Sequence, residues 1–159
     1  MKPGEIPKLA FFIILCQLAG GIGSYFTAPA IPGWYAGLKK PFITPPGWVF
    51  APVWITLYVL MGIAAFFVWR EREYGKARRD ALLLFAIQLI LNALWPFLFF
   101  GLRSPLAGLI GIAVLGIFIY LTLRAFLRIA YPAGILMIPY LLWTGFAAGL
   151  NFSIYLLNC

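Results

Sequence analysis

Five long apolar runs, separated by short polar connectors, dominate this chain of 159 residues. A helix needs roughly 20 apolar residues to cross the hydrocarbon core of a bilayer, and each run has about that length. Because 64% of the residues are hydrophobic and only 10% are charged, a soluble domain of this size could not bury the apolar surface. The sequence therefore predicts an all-α integral membrane protein, a single domain over residues 1–159 built as a bundle of five transmembrane helices. The predicted helices cover residues 6–26, 47–69, 81–102, 106–127 and 133–157, with a loop at residues 29–46.

Prolines and capping residues mark the predicted helix boundaries. Pro29 and Pro32 are expected to end the first helix, since proline removes a backbone donor. Asp80 is a plausible N-cap for the third helix, and Ser104 followed by Pro105 is typical of the start of the fourth.

The basic residues predict how the chain crosses the membrane. Nine of the twelve lie on one side, in the N-terminal segment, in the connector REREYGKARRD and near the end of the fourth run. The other side has three: Lys39, Lys40 and Arg103. In a bacterial inner membrane the positive-inside rule then predicts a cytoplasmic N-terminus. The net charge of +8 is explained by topology, and no nucleic-acid motif accompanies it, so no nucleic-acid partner is expected.

The composition excludes several kinds of chemistry. The chain has no histidine and four acidic residues, none of them in the middle of an apolar run. A Ser-His-Asp triad is impossible, and neither paired-carboxylate hydrolysis nor a metal site is expected. Proton-coupled transport usually needs an ionisable group within the membrane, which also counts against a transporter.

Polar and aromatic residues recur at helical spacing on three of the predicted helices. Residues at i, i+4 and i+7 share one face of a helix, and an apolar pocket with a few polar groups is the usual form of a small-molecule site. Flat aromatic walls suit a flat hydrophobic ligand. The same pattern is also compatible with core packing and interhelical hydrogen bonds. The residues are Phe50, Trp54, Leu57 and Tyr58; Gln88, Asn92 and Trp95; and Tyr140, Trp143, Thr144, Ala147 and Asn151.

The first loop is unusually aromatic and stiff. The stretch Trp34–Phe50 reads WYAGLKKPFITPPGWVF, with three prolines, two tryptophans and two phenylalanines. Prolines lower the entropy of holding one backbone shape. Such a loop could form a lid over the bundle, or lie on the membrane surface with its aromatic side chains among the headgroups.

Three segments resemble the motifs of one family. They are WYAGLKKPFITPPGWVFAPVW in the first loop, LNALWPFLFFG in the third run and PYLLWTGFAAGLNFSIYLLN in the fifth. Together they resemble the translocator protein (TspO/MBR) family over nearly the whole chain. The resemblance implies a five-helix bundle, usually a homodimer, with its pocket under the first loop. Animal members have a cholesterol motif that ends in a basic residue, but no Lys or Arg follows Arg128 here, which fits a prokaryotic member in a bacterial cell membrane.

The resemblance also implies ligands and site residues. Family members bind porphyrins such as protoporphyrin IX and haem, sterols in animals, and synthetic benzodiazepine-type compounds, so porphyrin is expected as a ligand and no cofactor is required. Tyr35 and Pro45 match the lid motif. The pocket motifs match Trp54, Asn92, Trp95, Trp143, Ala147 and Asn151, to which helical spacing adds Phe50 and Tyr140.

Three functions stay open at the level of sequence. The first is a membrane receptor or sensor that binds porphyrins. The second is light-dependent porphyrin breakdown, in which Trp54 and Trp143 would be the reactive tryptophans. The third is a transporter of tetrapyrroles or sterols.

Overall fold

Five helices build the protein in a computed structural model that describes residues 3–159. All five are long and apolar enough to cross a membrane, and the described residues contain no strand, which confirms the predicted fold class. The helices are α1 (Ile6–Ala30), α2 (Gly47–Arg70), α3 (Gly75–Pro96), α4 (Pro105–Ile129) and α5 (Tyr131–Leu157). Wider π-helical segments extend α1 through Ile31–Tyr35 and α3 through Phe97–Gly101, and short 3-10 turns cover Pro3–Glu5 and Arg72–Tyr74.

The helices form a closed ring in the order α1, α2, α5, α4, α3. Short connectors make successive helices antiparallel, so α1 and α3 form the one parallel pair of neighbours in this ring. The α1–α2 contact is very close at Gly62, where an added Cβ would lie 2.6 Å from the Cα of Ile13. Small residues allow this close approach. The resulting van der Waals packing stabilises the helix pair in lipid, where no hydrophobic driving force acts between helices.

The bundle is solid in one half and hollow in the other. The buried core lies in the half that carries the arginine-rich connector, where Met61, Phe85, Ile119, Phe126 and Met137 are all almost inaccessible. The opposite half, below the first loop, contains a cavity. Side chains such as Phe11, Ile14 and Leu18 on α1 stay exposed and face outward, as expected for a helix surface in contact with lipid.

The end of α1 differs from the prediction. Helical structure does not stop at Pro29 or Pro32 but continues through Tyr35, so the predicted boundary at residue 26 was wrong and the loop is shorter than residues 29–46. A wider π turn accommodates the proline ring at Pro32. In lipid, continuing the helix also satisfies backbone groups that would otherwise lack partners.

The starts of α3 and α4 give opposite outcomes. The third helix begins at Gly75, which has φ +39°, so Asp80 lies within the helix and is not its N-cap. The prediction at α4 is confirmed: the Ser104 hydroxyl accepts a hydrogen bond from the Ala107 N–H at 3.1 Å, and Pro105 is the first helical residue.

The helix bundle places the basic residues at its two opposite ends. Lys8, the connector between α2 and α3, and Arg124 and Arg128 lie at one end of the bundle, while Lys39, Lys40 and Arg103 lie at the other. Lys2 contributes to the predicted asymmetry but lies outside the described residues. The cytoplasmic position of the N-terminus stays a prediction.

Candidate ligand-binding site

A cavity of about 620 Å³ lies among α1, α2, α3 and α5, and α4 contributes no residue to its lining. The volume is in the range of small-molecule pockets, which runs from roughly 300 to 1,000 Å³. Lys40, Thr44 and Pro45 of the first loop also line it, so the loop (residues 38–46, hereafter the lid loop) covers its mouth.

Nine of the ten residues predicted as ligand-binding line this one cavity. They come from the end of α1, the lid loop and three helices that are far apart in sequence. The tenth, Tyr140, is completely buried and does not line the cavity. The nine are Tyr35, Pro45, Phe50, Trp54, Asn92, Trp95, Trp143, Ala147 and Asn151.

A hydrogen-bonded triad closes the floor of the cavity. The Tyr58 hydroxyl donates to Asn92 Oδ1 at 2.6 Å, and Asn92 Nδ2 donates to the Tyr140 hydroxyl oxygen at 2.8 Å. The Trp54 ring stacks on Tyr58 with ring centroids 5.6 Å apart and meets Tyr140 edge-on at 6.3 Å. The amide of Asn92 therefore joins α2, α3 and α5, and its contribution to the site is to hold an aromatic floor in place.

One predicted polar residue on the same face of α3 does not reach the cavity. Gln88 is completely buried one turn before Asn92, and neither of its amide atoms has a hydrogen-bond partner among the described residues. Helical spacing thus placed Gln88 on the face of α3 that contains Asn92, but it could not show that the cavity ends at Asn92, before it reaches Gln88.

Two polar side chains on the α5 wall have atoms without partners. Asn151 Nδ2 donates to the Pro105 carbonyl oxygen at 2.8 Å, but its Oδ1 has no partner. The indole N–H of Trp143 also has none. Leaving a buried donor or acceptor unpaired costs roughly 1–3 kcal/mol. Both side chains line the cavity, but these two atoms are themselves buried behind its surface.

An aromatic cluster joins the end of α1 to the end of α3. Trp95 stacks on Phe99 with centroids 5.5 Å apart, and Phe99 meets Phe100 edge-on at 4.8 Å. Trp34 and Tyr35, from the π-helical end of α1, pack edge-on or tilted against the same two phenylalanines. These contacts account for much of the aromatic content of the first connector.

Not every aromatic residue of the connector faces inward. Phe42 is 99% exposed and Trp48 is 76% exposed. Both interpretations of the connector are therefore supported in part: its inner residues cover the cavity, and its outer aromatic residues are available to the membrane interface.

Asn158, just after α5, ties down the lid loop. Its Oδ1 accepts from the Lys39 N–H at 3.0 Å, and its Nδ2 donates to the Lys39 carbonyl at 2.9 Å and to the Ile154 carbonyl at 2.8 Å. The amide completes hydrogen bonds of an otherwise irregular backbone, as a neighbouring strand would.

Removing this amide is expected to loosen the lid loop. In Asn158→Ala, hydrogen–deuterium exchange of the amides in residues 38–46 should accelerate about tenfold, since two hydrogen bonds of roughly 0.5–1.5 kcal/mol each are lost. Cys159→Ala, at the next exposed position, is the control. Unchanged exchange in Asn158→Ala would show that the lid loop is held by other contacts.

Sequence reasoning missed the contribution of the middle of α1. Gln17, Gly20, Gly21 and Ser24 line the cavity, although none was predicted to do so. An added Cβ at Gly20 would lie 2.5 Å from Cε2 of Tyr58, so this glycine makes room for the floor of the cavity. The run LAGGIGS could have indicated this wall of the cavity, because glycines on a helix face leave space beside the helix.

The fold and the cavity together define a class: a five-helix integral membrane protein whose helices enclose an aromatic-lined cavity beneath a loop. A family model described as TspO/MBR family matches residues 12–157. The chain belongs to the TspO/MBR family.

Relatives of this chain occur in archaea, bacteria and animals. It is 46% identical to the tryptophan-rich protein TspO of Archaeoglobus fulgidus, with 97% of this chain and 99% of the relative covered. It is 39% identical to the tryptophan-rich sensory protein of Cereibacter sphaeroides, over 82% of this chain and 85% of the relative. Identity to the translocator protein of Bos taurus is 37%, over 98% and 92%. The higher identity to the archaeal protein supports a prokaryotic member.

Proposed function

We propose that this protein is a membrane receptor or sensor that binds a flat hydrophobic ligand of the porphyrin class, with protoporphyrin IX and haem as the representatives. The observation that carries the proposal is the covered cavity, in which the Trp54, Tyr58 and Trp95 rings form extended aromatic walls. Such walls suit a planar conjugated ligand. The name of the Cereibacter sphaeroides relative, tryptophan-rich sensory protein, supports a sensory role.

The proposed mode of binding needs no metal ligand. The chain has no histidine, and the described residues hold no cluster of three or more histidine, cysteine or acidic side chains able to bind a metal ion. Stacking on the aromatic walls of the cavity would retain metal-free porphyrin at least as well as haem.

Titration of the purified protein with protoporphyrin IX in the dark tests the proposal. Tryptophan fluorescence should be quenched saturably, with about one porphyrin bound per chain. Trp143→Phe keeps an aromatic ring but presents a smaller aromatic surface to the cavity, so porphyrin affinity should fall by a few fold to about tenfold. Trp48→Phe, at an exposed position outside the cavity, should bind like the wild type. Weak quenching that never saturates, and is equal in both variants, would mean that the porphyrin only partitions into detergent.

A second candidate is light-dependent porphyrin breakdown. It is favoured by the presence of Trp54 and Trp143 in the same cavity, where either indole could exchange an electron with an excited porphyrin. Porphyrin absorbance should then decay under illumination in the wild type and persist in Trp143→Phe. Stable absorbance in light favours a receptor, and porphyrin flux in sealed liposomes would identify a transporter.

We also propose that the protein forms a homodimer through α5. Small residues recur at GxxxG-like spacing in the sequence, but two of them, Gly20 and Gly111, pack against side chains within the chain. Gly145 and Gly149 are exposed and would have no atom within 4 Å of an added Cβ. This surface permits close approach of a second helix.

Gly145→Leu should convert the dimer to monomer in mild detergent, as measured by light scattering coupled to size exclusion. Gly116→Leu, at an equally open glycine on α4, is the matched control. A dimer that persists in Gly145→Leu would place the interface on another face.

A further inference from the structure

A second groove lies on the outer face of the bundle, at the end opposite the lid loop. It has a volume of about 370 Å³ and runs between α3 and α4. Three of its lining residues are apolar and three are polar. They are Leu84, Leu121 and Ala125, and Tyr120, Arg124 and Arg128.

The arginine side chains of the groove are not neutralised within the protein. The one ion pair in residues 3–159 joins Arg70 to Glu71, so neither Arg124 nor Arg128 pairs with an acid. Asp80 is one turn before Leu84 on α3, and it forms no ion pair with either arginine. Cationic side chains that lie among apolar residues of membrane helices normally have a partner.

Arg124 is held against α4 by a contact with Tyr120, one turn earlier on the same helix. Its Nη1 donates to the Tyr120 hydroxyl at 2.8 Å, and its guanidinium lies 5.8 Å from the Tyr120 ring centroid. Tyr120 is one turn further from the charged end of α4, so the guanidinium is directed back toward the membrane interior. An unconstrained arginine near a helix end extends toward water instead. The guanidinium has five N–H donors, and Tyr120 uses only part of that capacity.

The order of groups along the groove matches the order of groups in a phospholipid. Arg128 is one residue from the end of α4, and Arg124 lies about 6 Å deeper. Tyr120, Leu121 and Leu84 follow further into the membrane. Two arginines one turn apart can bind one phosphate from two sides. The apolar residues beyond them can pack against the first part of an acyl chain.

We propose that this groove, lined by Arg124, Arg128, Tyr120, Leu84, Leu121 and Ala125, is a specific binding site for an anionic phospholipid of the leaflet that faces the arginine-rich connector. The phosphate binds the two guanidinium groups, and an acyl chain lies along the α3–α4 seam. Basic grooves between transmembrane helices at the cytoplasmic side bind such headgroups in other membrane proteins. The site is separate from the porphyrin cavity, and the proposal does not depend on it.

The test is native mass spectrometry of the detergent-purified protein, titrated with phosphatidylglycerol or phosphatidylcholine. The wild type should bind phosphatidylglycerol saturably and phosphatidylcholine much more weakly. In Arg124→Gln with Arg128→Gln, the affinity for phosphatidylglycerol should fall at least about tenfold. The matched control is Arg72→Gln with Lys76→Gln, which has the same net charge and changes exposed residues in the connector and the first turn of α3. Its affinity should match the wild type.

Two further arms separate a groove from a general attraction between charges. Ala125→Phe keeps both arginines but fills the apolar part of the groove, so it should also weaken phosphatidylglycerol binding. Inorganic phosphate in large excess should not displace the lipid, because it lacks the acyl chain. Equal losses in the two double variants, wild-type binding in Ala125→Phe, or complete displacement by phosphate would each overturn the proposal.

Discussion

Gly21→Phe is expected to abolish porphyrin binding while the bundle stays folded. Gly21 lines the cavity, and an added Cβ there would meet no atom within 4 Å, so the new ring can enter the cavity without displacing the backbone. Glycine within a helix is destabilising by roughly 0.5–1 kcal/mol relative to alanine, and replacing it with phenylalanine removes part of that cost. The substitution therefore removes space for the ligand without removing any contact that holds the helices together.

The expected loss is at least about a hundredfold in affinity for protoporphyrin IX, since a ring in the cavity competes directly with the ligand for volume. The measurement is dark fluorescence quenching, together with thermal unfolding of the unliganded protein. Gly116→Phe, which is equally unobstructed but lies on α4 away from the cavity, should bind like the wild type. Wild-type affinity in Gly21→Phe would show that porphyrin binds outside this cavity.

The number and type of helices could be predicted because the relevant forces act locally along the chain. A run of about 20 apolar residues has few alternatives to a membrane-spanning helix. Ser104 before Pro105 gave a cap that the structure confirms. The predicted end of α1 was wrong because the rule that proline ends a helix comes from helices exposed to water. Here Pro29 and Pro32 lie in a helix that continues in a wider turn.

The residues of the cavity could be assembled from sequence only in part. Helical periodicity and the family motifs identified side chains on α2, α3 and α5, but they could not separate lining residues from residues behind them. Tyr140 and Gln88 share faces with lining residues and yet are completely buried. Whether a residue lines the cavity or lies behind it depends on how far the cavity extends between the helices. The Tyr58–Asn92–Tyr140 triad ends the cavity, and it forms only when three helices that are distant in sequence pack together. The glycines of α1 were not predicted as lining residues, because helical periodicity identifies faces by their side chains and glycine has none.

Lys40 is expected to bind a carboxylate of the porphyrin, so that the affinity of the protein for porphyrin depends on the charge of the ligand. It is the one charged residue in the cavity lining, among residues 3–159. Its ammonium donates to the Leu38 carbonyl at 3.1 Å and to the Ala36 carbonyl at 3.3 Å, and it lies 4.7 Å from the Tyr35 ring centroid. A lysine ammonium has three donors, so one remains for a ligand. A hydrogen bond to a charged group contributes roughly 1.5–3 kcal/mol, which corresponds to about tenfold to a hundredfold in affinity.

The experiment is a cycle of two proteins and two ligands. Lys40→Met should weaken binding of protoporphyrin IX by that factor and leave binding of its uncharged dimethyl ester almost unchanged. Lys39→Met removes the same charge from the adjacent exposed position, outside the cavity lining, and should behave like the wild type with both ligands. If Lys40→Met weakens acid and ester equally, the lysine acts by holding the lid loop rather than by recognising a carboxylate. If neither changes, the carboxylates do not contact Lys40, and the porphyrin lies in the cavity with its carboxylates directed elsewhere.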